Sequence, residues 1–164
     1  MAFPTGKDFE PPDKYLTEVG RIALEWSHLE YKLQNAVCEV IGLKWDGDRR
    51  AALATHLAFQ TQIDIIGAYI RARNLEKAFI DEWSLLANEM DEQRRWRNLT
   101  IHGEWWALHP EKQHVVHTTA RRKGVKRTHY DATFEGLLET GNDIKKLRVK
   151  LEDWMSRIPF EAHP

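Results

Sequence analysis

Apolar residues recur at steps of three and four along most of the chain, a spacing that predicts amphipathic α-helices. Asp13 is placed to cap the first of these helices, and Gly42 supplies its stop. Pro159 follows the last apolar stripe, where it would end a helix. Four helices are predicted in this way, over residues 13–41, 48–74, 75–103 and 133–158.

The period changes between the third and fourth helices. Three short segments there are rich in β-branched or aromatic residues, and they cover residues 105–108, 113–119 and 125–130. Turn-like sequences separate them, which favours a small antiparallel meander. The sequence therefore predicts a mainly α fold, a four-helix up-down bundle with a small antiparallel β insertion between helices 3 and 4. The insertion should cover about residues 104–130.

Length and composition are typical of one globular domain, since the chain has 164 residues, of which 42% are hydrophobic and 30% charged. We expect a single domain over residues 13–158, an irregular N-terminal arm over 1–12 and a C-terminal tail over 159–164. No apolar run is long enough to predict a membrane span. Cys38 is the only cysteine, which favours a reducing cytoplasm over a disulfide-forming compartment.

The net charge of −1 gives the whole chain no attraction to nucleic acid, but basic residues cluster in the predicted meander. The cluster comprises Arg121, Arg122, Lys123, Lys126 and Arg127, with no acidic residue among them. Such a patch suits binding of a specific anionic ligand, such as an RNA substrate. A solvated hairpin tip explains the same residues equally well.

The segment 97–103, Arg-Asn-Leu-Thr-Ile-His-Gly, carries the most informative chemistry. The apolar stripe of the third helix continues in steps of three and four to Gln93 or Arg94 and then to Arg97. Arginine is rarely buried without a partner, so Arg97 must meet an acid, line a cleft or lie at a subunit interface. Glu18 and Glu30 of the first helix could both reach the motif, and Glu30 is the acid that we expect to support Arg97.

His102 and Arg97 together could cut RNA without a metal or other cofactor. The imidazole could act as base or acid near neutral pH, and the guanidinium could hold two phosphoryl oxygens. Asn98 could orient the imidazole or donate to the phosphate. A structural interpretation stays open, in which Arg97 pairs with a core acid and His102 caps the end of the helix.

Arg97-Asn98-x-x-x-His102 resembles the signature of the HEPN superfamily (higher eukaryotes and prokaryotes nucleotide-binding). The segment Trp26-Ser27-His28-Leu29-Glu30 on a long first helix is also similar. The resemblance implies a helical bundle, usually a homodimer, with the motif at or near the interface. It implies a metal-independent endoribonuclease with Arg97 and His102 as the catalytic pair and Asn98 as their polar companion. Many such proteins act as toxins, some with an antitoxin partner, or in phage defence.

One position of this sequence, and the variety of the superfamily, both bear on what this resemblance implies. Some toxin members carry a tyrosine two residues after the histidine that their antitoxin modifies, whereas Glu104 stands there in this chain. Some members have lost activity, so a non-catalytic module that binds RNA, a nucleotide or a partner protein is the alternative function. Three tryptophans flank the motif, Trp96, Trp105 and Trp106, and they could stack on unpaired bases of the substrate or fill the space between bundle and meander. Arg94, one turn before Arg97, could also bind the substrate.

Metal chemistry has weaker support in the sequence. Glu25-x-x-His28 and Glu111-x-x-His114 each match part of a di-iron bundle site, but the second lies in a predicted turn. Histidines of the meander could gather, although alternation along a strand points His114 and His117 to opposite faces. No metal ligand is therefore assigned.

Overall fold

The computed structural model describes residues 11–43, 56–109, 112–121 and 124–158. Within these ranges the chain is mainly helical, with four helices and one three-stranded antiparallel sheet, so the coarse fold prediction is confirmed. The helices are α1 (Asp13–Val40), α2 (Phe59–Ala72), α3 (Lys77–His102) and α4 (Phe134–Ser156). The strands β1 (Glu104–His109), β2 (Lys112–Arg121) and β3 (Gly124–Thr133) lie between α3 and α4 in the chain.

Helix α1 follows the predicted apolar stripe and ends where a glycine can end it. Its buried residues recur at helical spacing and include Ile22, Trp26, Leu29 and Leu33. Gly42 has a φ of 70°, and the amide of the next residue, Leu43, donates to the carbonyl of Cys38 at 3.0 Å. This hydrogen-bond pattern is a Schellman motif, which a left-handed residue makes possible.

The three strands form a meander in the order β1-β2-β3, and they are longer than the sequence pattern predicts. The β2–β3 ladder runs without a break from Arg121 opposite Gly124 to Lys112 opposite Thr133. Gly124 has a φ of 129°, a conformation that glycine adopts at little cost as the chain reverses. Because the ladder continues past the predicted ends, polar residues such as Asp131 join the sheet.

The described residues divide into two compact units. Of the described residues, 25–43, 56–92 and 144–158 form the helical unit, and its core is apolar and aromatic. Trp83 and Phe79 both pack on the buried Trp154 ring, with centroid distances of 4.6 and 4.8 Å. Trp26 packs in the same way on Phe59, at 5.2 Å.

The sheet unit is formed by the described residues 11–24, 93–109, 112–121 and 124–143, and it contains the segment with Arg97 and His102. Its core brings the buried Tyr15 edge-on to the rings of Trp105 and Phe134, at 6.5 and 6.1 Å. Val115 and Ala132 are buried on one face of the sheet. Burial on one face only leaves the opposite face of the sheet open to solvent.

Some predictions fall outside the described residues: most of the arm, the first part of the second predicted helix and the C-terminal tail. The single-domain assignment stays a prediction. In the part of the chain that the structure describes, no helix is both long and apolar enough to cross a membrane.

Candidate active site

Helix α3 changes character along its length. Its inward-facing residues are first apolar and then polar, in the order Trp83, Leu86, Met90, Arg94, Arg97 and Thr100. Arg94 and Arg97 are half-buried, and Thr100 is buried. The predicted continuation of the stripe onto an arginine is therefore what the structure has. A guanidinium in such a position needs polar neighbours.

The Arg97 side chain meets both other polar residues of the motif. Its Nη1 donates to Oδ1 of Asn98 at 2.9 Å and lies 3.0 Å from Nε2 of His102. Residues five apart do not share a face of a regular helix, so the length of the arginine side chain makes the second contact possible. The structure thus brings Arg97, Asn98 and His102 together at the C-terminal end of α3.

The contact between Arg97 and His102 determines which ring nitrogen carries the proton when the imidazole is neutral. A guanidinium can only donate, so Nε2 of His102 is the acceptor and the ring proton of the neutral form is on Nδ1. His102 is exposed, whereas Arg97 is half-buried. A proton acceptor that solvent can reach therefore lies beside a positive charge that the helix end and Asn98 hold in place.

Close packing against the sheet holds this helix end in position. A Cβ atom on Gly103 would lie 2.5 Å from the carbonyl oxygen of Leu99 and would collide with Cγ1 of Val115 in β2. Gly103 was predicted as the helix stop, and its lack of a side chain is required here because helix and strand approach so closely.

Two polar contacts involving Thr100 join the helix to the strands. The hydroxyl of Thr100 lies 3.0 Å from that of Tyr130 in β3, and its carbonyl accepts from Nε1 of Trp105 at 3.0 Å. Burial raises the pKa of Tyr130, and the hydrogen bond with Thr100 partly opposes that shift. Thr100, two residues before His102, is thus hydrogen-bonded to residues of both outer strands, β1 and β3.

The other predicted substrate-binding residues have different surroundings. Trp96 is 42% exposed and packs edge-on against Tyr130 at 5.9 Å. Lys126 and Arg127 are both exposed and, being neighbours in β3, point to opposite faces of the sheet. Arg121 ends β2, and nothing is described of its side chain. Arg122 and Lys123 lie outside the described residues.

The acidic partners considered for Arg97 are both on α1. Glu18 is buried in the sheet unit, where it forms an ion pair with Arg21 at 2.6 Å. Glu30 is half-buried and belongs to the helical unit, and its support of Arg97 stays a prediction.

A second group of polar side chains lies on the solvent-facing side of the sheet. A gathering of the meander's histidines was one sequence interpretation, but Asp131 was not expected among them. Nδ1 of His114 lies 3.1 Å from Oδ1 of Asp131, and Nε2 of His114 lies 3.2 Å from Nδ1 of His129. His117 belongs to the opposite face, as the alternation predicts. The register between β2 and β3 places the first three side chains together, and the sequence alone does not state that register.

The described ranges contain no group of three or more histidine, cysteine, aspartate or glutamate residues placed to hold a metal ion. His28 of the partial di-iron pattern is exposed, and Glu25 lies 3.6 Å from Arg148. Glu111 of the second pattern lies outside the described residues.

Comparison of the chain with protein-family models, with curated proteins and with solved structures gives no match. The function must therefore be argued from the site itself.

Proposed function

We propose that this protein is a HEPN-like, metal-independent endoribonuclease whose catalytic residues are Arg97 and His102, with Asn98 positioning the guanidinium. The observation that carries the proposal is the 3.0 Å contact between Nη1 of Arg97 and Nε2 of His102 at an exposed helix end. The guanidinium of Arg97, which is always charged and can bind a phosphate, is thereby adjacent to the imidazole of His102, which can accept a proton, and a substrate can reach this helix end.

A bound phosphate would replace Nε2 of His102 as the hydrogen-bond acceptor of Arg97. A guanidinium attracts an anionic oxygen more strongly than a neutral imidazole nitrogen, because opposite charges add to the hydrogen bond and a phosphate can be bound by two parallel N–H groups. The phosphate would therefore draw Arg97 away from the imidazole, and Nε2 of His102 would become free to accept a proton. The half-buried Arg97 would keep one phosphoryl oxygen in reach while Asn98 holds its Nη1.

The reaction is a transfer within the RNA strand. Nε2 of His102 takes the proton of the ribose 2′-hydroxyl, the 2′-oxygen forms a bond to phosphorus, and the bond from phosphorus to the 5′-oxygen breaks. The departing 5′-oxygen takes a proton from a second acid, which we assign to the imidazolium of His102 in a second copy of the chain. The products are a 2′,3′-cyclic phosphate and a free 5′-hydroxyl, and Arg97 stabilises the charge on the phosphoryl oxygens.

This proposal includes the assembly and the setting that the resemblance implies. The four helices would form an up-down bundle, and a homodimer would place two copies of the motif around one groove. The protein would act in the cytoplasm as a toxin or a phage-defence effector, with RNA as substrate and an antitoxin as a possible class of partner.

The test is cleavage of a 5′-labelled single-stranded RNA by the purified protein in EDTA. We expect His102→Ala to lower the cleavage rate by about 10²- to 10⁴-fold, the usual contribution of a positioned acid or base. Arg97→Ala should lower it as well, and a single 2′-deoxy nucleotide at the cleavage position should block the cut. The matched control is His28→Ala, because His28 is also exposed but belongs to α1.

Equal cleavage by the wild-type and His102→Ala proteins would contradict the proposal, provided that circular dichroism shows both proteins folded. Cleavage that survives the 2′-deoxy substitution would contradict the cyclic-phosphate route. RNA binding without any cleavage would favour the non-catalytic module instead.

A further inference from the structure

The solvent-facing side of the sheet carries side chains of a different kind from those of its buried side. Because alternate residues of a strand share a face, the register fixes which of them meet. Trp106 of β1 lies opposite His114 of β2, which lies opposite Asp131 of β3. In the neighbouring rows Glu104 lies opposite Val116, and Val116 lies opposite His129.

These side chains line a groove of about 410 Å³, a volume within the range of small-ligand sites. The lining residues are Glu104, Trp106, His114, Val116, Thr118, Arg127 and His129. They supply one indole, one guanidinium, two imidazoles and one carboxylate. This set offers an aromatic surface for a base, donors for a phosphate and an acceptor for an amino or hydroxyl group.

A hydrogen-bonded chain across two strands orients the imidazole of His129. Asp131 accepts from Nδ1 of His114, at 3.1 Å, so Nε2 of the neutral His114 ring is an acceptor. Nδ1 of His129, 3.2 Å away, must then donate to that atom. The second nitrogen of His129, Nε2, is left to face a ligand, and in the neutral ring it is a hydrogen-bond acceptor.

The groove begins two residues after the candidate catalytic histidine. Gly103 alone separates His102 from Glu104, so their Cα atoms are at most about 7–8 Å apart. The end of α3 packs on the buried face of the sheet, but β1 is an edge strand, so an RNA strand that passes round this edge at Glu104 would reach both the groove and Arg97.

We infer that this groove binds one nucleotide of a single-stranded RNA beside the cleavage position, with its base against Trp106 and its phosphate on Arg127, while Nε2 of His129 accepts from a hydroxyl or amino group of the same nucleotide. The inference rests on the proposed function for the identity of the ligand. Glu104 accepts from an amino group of the base or a hydroxyl of the ribose. The sheet thus supplies substrate affinity, and the end of α3 supplies the chemistry.

The test measures binding in a protein that does not cut. We use fluorescence anisotropy of a labelled ten-nucleotide single-stranded RNA, in EDTA and at one fixed salt concentration, with His102→Ala as the background. Arg127→Glu should weaken binding about tenfold or more. Lys126→Glu is the matched variant, since it makes the same charge change at an exposed neighbour on the opposite face. Arg127→Glu should have at least a fivefold larger effect.

Trp106 tests the aromatic part of the site. Trp106→Ala should weaken binding about fivefold or more, since base stacking on an aromatic residue is lost. Trp106→Phe should restore most of the affinity. Circular dichroism of each variant shows whether the sheet unit is folded, and the Phe variant keeps the test valid if the Ala variant is not.

The outcomes separate the groove from the nuclease. Equal weakening by Arg127→Glu and Lys126→Glu would overturn the groove, even if the wild-type protein cleaves RNA. Binding that depends on Arg127 and Trp106, in a protein whose wild-type form does not cleave, would support the groove and overturn the nuclease. Unchanged binding in both Trp106 variants would overturn the stacking role.

Discussion

The helical unit and the sheet unit differ in where they place their polar side chains. In the helical unit the core is built on Trp26, Trp83 and Trp154. Ion pairs such as Lys150 with Glu89 are at its surface, and the pair of Arg148 with Glu25 is half-buried. In the sheet unit polar side chains go inside. Three of the four buried polar residues of the described ranges belong to it, namely Glu18, Thr100 and Gln113.

Helix α3 shows the same contrast within one element. Its first half buries Trp83, Leu86 and Met90, and its second half turns Arg97 and Thr100 to the same side. Burying polar groups costs free energy unless each finds a partner, so a fold keeps them where they serve a purpose. The difference agrees with the proposed function, in which the helical unit provides stability and the sheet unit carries the catalytic residues.

The largest effect should come from breaking the apolar core. Trp154→Ala removes a fully buried ring that packs on Phe79 and Trp83, and we expect a loss of about 3–5 kcal/mol in the free energy of unfolding. Urea unfolding measures it. If the variant stays folded in buffer, its rate of RNA cleavage should stay within about twofold of wild type. Loss of cleavage in a folded variant would contradict the division of roles.

The second effect concerns the junction of helix and sheet, and two glycines offer a matched pair. Gly103→Ala forces a methyl group against Leu99 and Val115, which should cost about 1–3 kcal/mol and displace His102. Gly20→Ala on α1 has no atom within 4 Å of the new methyl group and should stabilise the helix by about 0.5–1 kcal/mol.

Both glycine variants are measured by urea unfolding and by RNA cleavage. Gly103→Ala should lower both quantities, whereas Gly20→Ala should leave cleavage unchanged. Wild-type cleavage by Gly103→Ala would mean that the position of the helix end is not important for the reaction.

The mainly helical fold could be predicted because apolar spacing determines it, but the contacts of the site could not. The spacing places Arg97 on the inward side of α3. It does not predict the contact with His102, five residues away, because that depends on the length and conformation of one flexible side chain. The sequence motif identifies Arg97 and His102 as a pair, and the structure shows the distance between Nη1 and Nε2.

The second polar group could be predicted only in part, for a different reason. The third strand was predicted to end at residue 130, which left Asp131 outside the sheet, whereas the observed strand continues to Thr133. Without the pairing of His114 with Asp131, the histidines resemble scattered surface residues. Strand register depends on the turn and on long-range pairing, and the local sequence states neither.

A smaller effect should follow from raising the pH above the ordinary tyrosine range. Burial raises the pKa of Tyr130 above its usual 10.0, so the unfolded chain loses this proton at a lower pH than the folded one. The stability due to Tyr130 is fully present below pH 10 and is lost as the pH rises through the folded value. Tyr130→Phe should flatten this part of the curve of unfolding free energy against pH. An unchanged slope would show that Tyr130 is not buried enough to matter.

The smallest effect should come from the surface of the helical unit. Arg157 donates to both carboxylate oxygens of Glu82, which lowers the pKa of Glu82 below 4.5, so any stability from this pair is present above that pH and is lost as the pH falls. Because both side chains are more than 40% exposed, solvent screens the attraction. Glu82→Gln should change the melting temperature at pH 7 by no more than about 2 °C, and Glu89→Gln is the matched control at the Lys150 pair. A drop of more than about 5 °C would mean that surface charges, and not the buried tryptophans alone, hold the helical unit together, and the contrast between the two units would then be one of degree.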